Sequence, residues 1–182
     1  MKTLVVTGAS RGVGFEICQQ AAANGHTVIA LSRNILPLKG IPNIHPFSVD
    51  LSNELEVVDF VKEISSSFKS IDILINNAGS LINKPFLEIS SSDFEAVFKV
   101  NVFAVASLTR LMLPMMNAKG HVLNITSMGG VQGSAKFPGL SAYSSSKGAL
   151  VILTELLAEE FKDSGPSFNA LALGAVQTEM LE

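Results

Sequence analysis

Short apolar segments alternate with segments of helical periodicity along the sequence, and this alternation limits the fold more than any other feature. Several apolar segments are continuous rather than alternating, which is typical of strands covered on both faces. The six predicted strands are residues 3–7, 27–31, 44–49, 71–76, 121–126 and 167–173. Strands that alternate with helices form parallel sheets through right-handed crossovers. We therefore predict an α/β fold.

Two of the intervening helices have clear signatures. One carries apolar residues at steps of three and four from Val57 to Phe68. Another is preceded by Ser92-Asp93-Phe94-Glu95, which matches a capping box ahead of a helix that extends to about residue 117. Neither a linker nor a repeat divides the 182 residues, so we expect one domain over residues 1–182.

Composition excludes several classes of protein. The chain is 47% hydrophobic and 16% charged, with a net charge of −3, which disfavours disorder and binding to nucleic acid or to acidic membranes. The single cysteine, Cys18, indicates a reducing compartment, and we expect a cytoplasmic protein. No apolar segment is expected to reach transmembrane length. We expect no metal site, because His26, His45 and His121 lack ligand spacing.

A glycine-rich turn, TGASRGVG at residues 7–14, directly follows the first predicted strand and precedes a helix. Glycines at such a turn let the backbone approach a pyrophosphate, and the helix N-terminus supplies N–H donors. An ordinary glycine turn is the alternative. The position after the first strand favours a dinucleotide site in a Rossmann-type doubly wound parallel sheet, a three-layer αβα sandwich.

Two arginines favour NADP(H) over NAD(H). The second predicted strand ends without the acidic residue that binds the ribose of NAD, and Arg33 follows it instead. Arg11 lies within the glycine turn. Two guanidinium groups suit a 2′-phosphate. The alternative is that both arginines are solvated surface residues.

Further motifs follow in a recognisable order. They are Asp50 in VDLS, NNAG at 76–79, Asn101 in KVNVF, Ser127 at the end of NITS, and Tyr143 four residues before Lys147. With the glycine turn, they make the chain similar to the classical short-chain dehydrogenase/reductase family over nearly its whole length. The resemblance implies hydride transfer between NADP(H) and a carbonyl or alcohol. The implied cofactor contacts are Gly8, Ser10, Arg11, Gly12, Val13, Gly14, Arg33, Asp50, Leu51, Asn77, Ala78, Gly79, Tyr143, Lys147, Val176 and Thr178.

The spacing of Tyr143 and Lys147 places them on one face of a helix. A fixed ammonium near a phenol lowers the phenol pKa, so Tyr143 is predicted to act as the general acid or base. Alternatively, the stem of Lys147 simply covers apolar surface. The resemblance adds that Lys147 binds the nicotinamide ribose. Ser127 ends the fifth predicted strand, where its hydroxyl could orient the substrate oxygen, and an ordinary turn serine is the alternative. The resemblance also implies that Asn101 holds a water that links Lys147 to solvent, although a structural role for its amide is the alternative.

Three expectations concern the substrate and partners. Residues 128–142 should loop out beside the substrate, with Gln132 and Phe137 as candidate contacts. Leu173 replaces a proline of the family pattern, and the sequence ends before the family's substrate-covering segment, so we expect that segment to be missing or reduced. Apolar helices at 94–117 and 143–162 predict a homodimer or homotetramer.

Two functions are alternatives to hydride transfer between NADP(H) and a carbonyl or alcohol. One is a non-catalytic NADP(H)-binding sensor or scaffold, and the other is isomerase or dehydratase chemistry on the same fold.

Overall fold

The structure is a computed structural model, and it describes residues 1–174. Six strands form one parallel sheet in the order β3-β2-β1-β4-β5-β6. They are β1 (Thr3–Thr7), β2 (Thr27–Ser32), β3 (Ile44–Ser48), β4 (Ile71–Asn76), β5 (Met116–Ser127) and β6 (Ser167–Leu173). The predicted α/β fold with a parallel sheet is confirmed, and the strand order reverses direction between β1 and β4.

In residues 1–174, five α-helices lie between the strands. They are α1 (Gly12–Ala23), α2 (Glu54–Ser67), α3 (Ser91–Phe98), α4 (Ala104–Met112) and α5 (Ser141–Glu160). A π-helical turn, Lys99–Phe103, joins α3 to α4 without a break. Such turns are frequent at functional sites, and this one carries Asn101.

Both faces of the sheet are covered by helices. In β1, Val5 belongs to a core cluster with Phe60 of α2 and Leu108 of α4. Its neighbour Val6 belongs to a second cluster, on the opposite face, with Cys18 of α1. This is why the strands are apolar at successive positions rather than at alternate ones.

The capping box of α3 differs from the prediction. Ser90, not Ser92, is the N-cap: its hydroxyl accepts from the Asp93 N–H at 3.1 Å. The Asp93 carboxylate accepts in return from the Ser90 N–H at 2.9 Å. The predicted box required a glutamate at its fourth position, whereas a shorter aspartate serves here, two residues earlier in the chain.

The helix that follows also ends earlier than predicted, at Met112 rather than near residue 117. Pro114 lies in a short 3₁₀ turn directly after it, and proline cannot continue the backbone hydrogen bonding of a helix. The next strand then begins at Met116, five residues before the predicted start, because Met116 pairs with Ile71 of β4 ahead of an irregularity in register. A long-range pairing of this kind leaves no local sequence signal.

The continuous helical run Ser91–Met115 has 25 residues and a mean hydropathy of 1.5 in its most apolar window. By length and composition it could cross a membrane, so the expectation that no segment reaches that length is wrong. In the fold, however, Leu108 and Met112 of this run belong to the core cluster against the sheet. We interpret the run as a core helix, since helices that pack against a sheet can be as long and as apolar as membrane spans.

Buried polar side chains link α4 to α5, two helices on the same face of the sheet, through β4 and β5. Asn76 and Asn124 lie at paired positions of these strands, and the Asn76 amide donates to the Asn124 carbonyl oxygen at 2.8 Å. Asn76 also donates to Thr109 of α4 at 3.2 Å, and Asn124 donates to Thr154 of α5 at 2.9 Å. This network links the helices that flank the carboxyl ends of the strands.

Candidate active site

The glycine turn and the NNAG turn are bound to each other at the position where the strand order reverses. The Thr7 hydroxyl accepts from the backbone N–H groups of Asn77 and Ala78, both at 3.0 Å. The Asn77 side-chain amide donates to the carbonyl oxygens of Thr7 and Gly8 at 3.0 and 3.2 Å. A Cβ atom added to Gly8 would lie 2.8 Å from the Ala78 Cα, so glycine is required for this approach.

The glycine turn leaves its backbone accessible at the start of α1. Gly8 and Gly12 have φ angles of 65° and 55°, in the left-handed region that favours glycine. Arg11 is the exposed N-cap of α1, while Ser10 and Val13 are half-buried beside it. A turn with no Cβ atoms at these glycines, ahead of a helix N-terminus, fits a pyrophosphate.

A second group of candidate residues lies beyond β2 and β3. Hydrogen bonds from the backbone and hydroxyl of Ser52 hold the pKa of Asp50 below its usual value, and the charges of Arg33 and Lys99 act in the same direction. Arg33 is exposed, and Leu51 packs against the core beside Asp50. The fold thus brings two cations and one carboxylate to the end of the crevice that dinucleotide folds use for the adenosine half.

Lys147 projects from α5 toward the NNAG turn and is almost entirely buried, with 3% of its surface exposed. Its Nζ donates to the Ile125 carbonyl oxygen at 2.8 Å and lies 5.8 Å from the centre of the Tyr143 ring. A Cβ atom on Gly79 would lie 3.5 Å from this Nζ and 3.6 Å from Asn101 Oδ1. Lys147, Tyr143 and Asn101 therefore gather beside the turn that contacts the glycine loop.

The electrostatics of Tyr143 differ from the prediction. Burial raises the pKa of Tyr143, and a hydrogen bond with the Ser127 hydroxyl offsets part of this rise. The expectation that Lys147 lowers this pKa is therefore wrong for the chain alone. The Lys147 amine lies over the face of the ring and bonds to a backbone carbonyl, and burial lowers its own pKa to about 8.

Asn101 is fully buried in the π-helical turn, and its side chain is saturated with protein partners. Its Oδ1 accepts from the Ser80 N–H at 2.7 Å. Its Nδ2 donates to the Ser80 carbonyl oxygen and to the Ser146 hydroxyl, both at 2.9 Å. Both amide hydrogens are thus used, and the side chain bridges the NNAG turn to α5. This geometry supports the structural alternative for the amide.

Ser127 ends β5, and a close backbone approach seats it against α5. The next residues, Met128–Gly130, form a 3₁₀ turn. A Cβ atom on Gly130 would lie 2.5 Å from the Gly148 nitrogen and 2.6 Å from the Lys147 carbonyl carbon. Only a glycine fits there. The turn therefore fixes the Ser127 hydroxyl within hydrogen-bonding reach of Tyr143.

The candidate substrate loop continues from this turn without helix or strand up to residue 140. Gln132 and Phe137 are exposed in it, and the Lys84 N–H anchors it by donating to the Gly139 carbonyl oxygen at 3.0 Å. The two predicted cofactor contacts Val176 and Thr178 lie outside the described residues. Across residues 1–174, no group of three or more His, Cys, Asp and Glu side chains could hold a metal ion.

Several residues that contact the site residues were not predicted, although they lie within or directly beside the sequence motifs. Thr7 joins the two turns, and it directly precedes the first glycine of the loop. Ser146 contacts Asn101 and directly precedes Lys147. Ser80 follows NNAG, and Gly130 follows Ser127 by three positions. Each is adjacent to a motif, but its partners come from distant parts of the chain, so only the fold shows its contacts.

The profile described as short chain dehydrogenase matches residues 2–182. The chain belongs to this family. It is 32% identical to the oxidoreductase BOA17 of Botryotinia fuckeliana over 98% of the chain and 67% of that protein. The chain spans 76% of the 3-oxoacyl-[acyl-carrier-protein] reductase FabG of Thermotoga maritima and 62% of the 3-amino-tetrahydro-pyrrolizinone reductase of Xenorhabdus hominickii.

Solved structures of the short-chain dehydrogenase family have the same fold. A 4-hydroxyisoleucine dehydrogenase complexed with NADH superposes with a TM-score of 0.91 at 29% identity, covering 100% of this chain and 76% of the other. The RhlG/NADP complex of Pseudomonas aeruginosa gives 0.90 at 29% identity, covering 98% and 74%. One neighbour holds NADH and the other NADP, so the family relation supports a nicotinamide cofactor but does not select between the two.

We expect Lys147→Met to raise the free energy of unfolding at pH 7 by up to about 3 kcal/mol. The reason is that the pKa of Lys147 is lowered to about 8 in the folded chain. Between about pH 8 and the usual lysine pKa, the unfolded chain binds more protons than the folded chain. The free-energy cost of burying the Lys147 ammonium therefore falls as the pH rises. Urea unfolding at pH 7 and pH 10 measures this, and the gain should fall below about 1 kcal/mol at pH 10.

The control for this experiment is Lys62→Met, because the Lys62 side chain is 73% exposed. It should leave the free energy of unfolding within about 0.5 kcal/mol at both pH values. A Lys147→Met protein that is less stable than wild type at pH 7 would contradict the account of Lys147 as a costly buried charge.

Proposed function

We propose that residues 1–182 form a single nucleotide-binding domain that transfers hydride between NADP(H) and a small carbonyl or alcohol substrate. The observation that carries the proposal is the convergence of Tyr143, Lys147, Ser127 and Asn101 beside the turn that contacts the glycine loop. A protein that only bound nucleotide would not need a half-buried phenol hydrogen-bonded to a serine next to a buried lysine.

The proposed roles follow from these contacts. A bound nicotinamide supplies the hydride that the carbonyl carbon receives. Tyr143 gives its phenolic proton to the carbonyl oxygen, and Ser127, which is hydrogen-bonded to Tyr143, orients that oxygen and stabilises the charge that develops on it. Since burial raises the pKa of Tyr143, the phenol is protonated at neutral pH, as carbonyl reduction requires. Lys147 would hold the nicotinamide ribose.

The choice of NADP(H) rests on the cations at the adenosine end. Arg11 occupies the N-cap position of α1 beside the glycine turn, and the charges of Arg33 and Lys99 act on Asp50. A 2′-phosphate brings negative charge to this region, where the ribose hydroxyls of NAD(H) bring none. Asp50, Leu51, Val176 and Thr178 complete the proposed cofactor contacts.

A second copy of the chain is the proposed partner, and no nucleic acid or membrane partner is proposed. Large apolar side chains are exposed on the outer faces of the helices that carry the site: Phe103 is 62%, Ile152 56% and Leu156 62% exposed. Ile152 and Leu156 lie one turn apart on α5, so they form one patch. Two-fold pairing of such patches would bury them. We propose a cytoplasmic location, because a single cysteine suits a reducing compartment.

We expect light scattering at micromolar concentration to give the mass of a dimer or tetramer. Ile152→Glu together with Leu156→Glu should reduce that mass to a monomer, because charged side chains cannot be buried without partners. Leu55→Glu on α2 is the control, since Leu55 is 74% exposed on a different helix. A wild-type monomer would contradict the proposed pairing.

We expect Tyr143→Phe to lower carbonyl-dependent oxidation of NADPH by about 10² to 10⁴-fold, because the variant keeps the ring but lacks the proton. The test mixes the protein with NADPH or NADH and a panel of ketones and aldehydes, and follows the absorbance of the reduced nicotinamide. Fluorescence titration should show NADPH affinity within about threefold of wild type, since the ring packing is retained.

Two outcomes would contradict this function. Turnover that is unchanged in Tyr143→Phe would remove Tyr143 from the chemistry. Tight NADPH binding without consumption on any panel member would instead favour the sensor or scaffold alternative. Ser145→Ala is the control on the same helix, because Ser145 is exposed one residue from Ser146 and has no assigned role.

We expect Arg11→Ala with Arg33→Ala to weaken NADPH binding by about 10 to 100-fold and to change NADH binding by less than about threefold. The phosphate-binding guanidinium groups are lost, while the backbone of the glycine turn is kept. Arg110→Ala is the matched control, since Arg110 is exposed in the last turn of α4. Tighter binding of NADH than of NADPH by the wild-type chain would overturn the assignment of both arginines.

A further inference from the structure

We propose that Ser146 is a positioning residue of the active site, whose buried hydroxyl holds the Asn101 amide and the backbone of Tyr143 in one bridge. The inference rests on the proposed function for its effect on turnover, but its structural content can be tested without turnover. Ser146 lies between two proposed catalytic residues in sequence, yet its side chain faces the interior and is fully buried.

The Ser146 hydroxyl makes one hydrogen bond in each direction. It accepts from Asn101 Nδ2 at 2.9 Å and donates to the Tyr143 carbonyl oxygen at 2.7 Å. The second bond runs back along α5 by three residues, as buried serines in helices often do. The first crosses to the π-helical turn, 45 residues away in sequence. A serine that served only its own helix would not need this long-range bond.

The bridge continues past Asn101 to the NNAG turn. Asn101 Oδ1 accepts from the Ser80 N–H at 2.7 Å, and Nδ2 donates to the Ser80 carbonyl oxygen at 2.9 Å. Ser80, Asn101, Ser146 and the Tyr143 backbone thus form one chain of hydrogen bonds. Every link is short, and the amide and hydroxyl in the middle are fully buried, where alternative partners from solvent are absent.

This chain of hydrogen bonds passes close to the Lys147 amine. Gly79, which precedes Ser80, lies against both the Lys147 Nζ and Asn101 Oδ1. The Lys147 side chain leaves α5 directly after Ser146. If the bridge were lost, the π-helical turn and α5 could shift against each other, and the Lys147 amine and the Tyr143 phenol would lose their fixed relation. Ser146 would therefore act through Asn101 and α5 without touching substrate or cofactor.

The first test measures the bridge itself by hydrogen exchange of the Ser80 amide in the full chain. Ser146→Ala removes both hydrogen bonds of the hydroxyl, so Asn101 loses one of its anchors. We expect the Ser80 amide to exchange about fivefold or more faster than in wild type, because its acceptor Oδ1 is held less firmly. Ser145→Ala should leave this rate unchanged. Unchanged exchange at Ser80 in Ser146→Ala would overturn the proposal, whatever the chain's activity.

The second test measures turnover with NADPH and a carbonyl substrate of the panel. Ser146→Ala should lower kcat about tenfold, because Tyr143 and Lys147 are held less firmly, and leave the KM for NADPH within about twofold. Ser146→Thr keeps the hydroxyl and should recover kcat to within about threefold of wild type. A fall in kcat that Ser146→Thr does not recover, in a variant with a cooperative melting transition, would contradict the role of the hydroxyl.

A double-mutant cycle separates positioning from general stability. If Ser146 acts through Asn101, Ser146→Ala should cost less than about twofold in kcat when Asn101→Ala is already present. Additive losses would overturn the coupling. If wild type shows no turnover on the panel, the proposed function fails while the exchange measurement still decides the bridge. If the Ser80 amide of Ser146→Ala exchanges no faster than that of wild type, while wild-type turnover is normal, the bridge is refuted and the proposed function stands.

Discussion

The hydrogen bonds between Thr7 and the Asn77–Ala78 backbone hold the two halves of the sheet together at its functional edge. The chain folds outward from β1 in one direction to β3 and from β4 in the other direction to β6, so a crevice opens between β1 and β4. One buried hydroxyl accepts two backbone N–H groups at this crevice. It satisfies donors that would otherwise be buried without partners, and it fixes the glycine turn against the NNAG turn that borders Lys147.

Burial of Lys147 is energetically unfavourable, and the contact between the glycine turn and the NNAG turn holds its surroundings in place. A charge with 3% exposure destabilises the fold unless its surroundings are held in place. The surroundings are polar on several sides: the Ile125 carbonyl oxygen, the Tyr143 ring face, and the Asn101–Ser146 bridge nearby. The Asn76–Asn124 pair gives a second polar link to α5, in this case from α4. The proposed function and the stability of the fold are therefore opposed at this residue.

Local patterns predicted much of the fold and part of the site. Strands β1, β4 and β6 have the predicted bounds, because each is a compact apolar segment between turn residues. The start of β5 was not predictable, since residues 116–120 join the sheet only through pairing with β4. Spacing placed Tyr143 and Lys147 on one face of α5. It could not give the pKa of Tyr143, which depends on burial by other elements and on the Ser127 hydroxyl.

The sequence by itself determined the α/β class, the glycine turn after the first strand, and the order of motifs that identifies the family. These features depend on neighbours along the chain: apolar runs, glycines where φ must be positive, and helical spacing. Tertiary structure alone decided the contacts between motifs, such as Thr7 with Asn77, Asn101 with Ser146, and Gly130 with Gly148. The partners in these contacts lie between 18 and 70 residues apart, and they meet only because the sheet brings the ends of its strands to one edge.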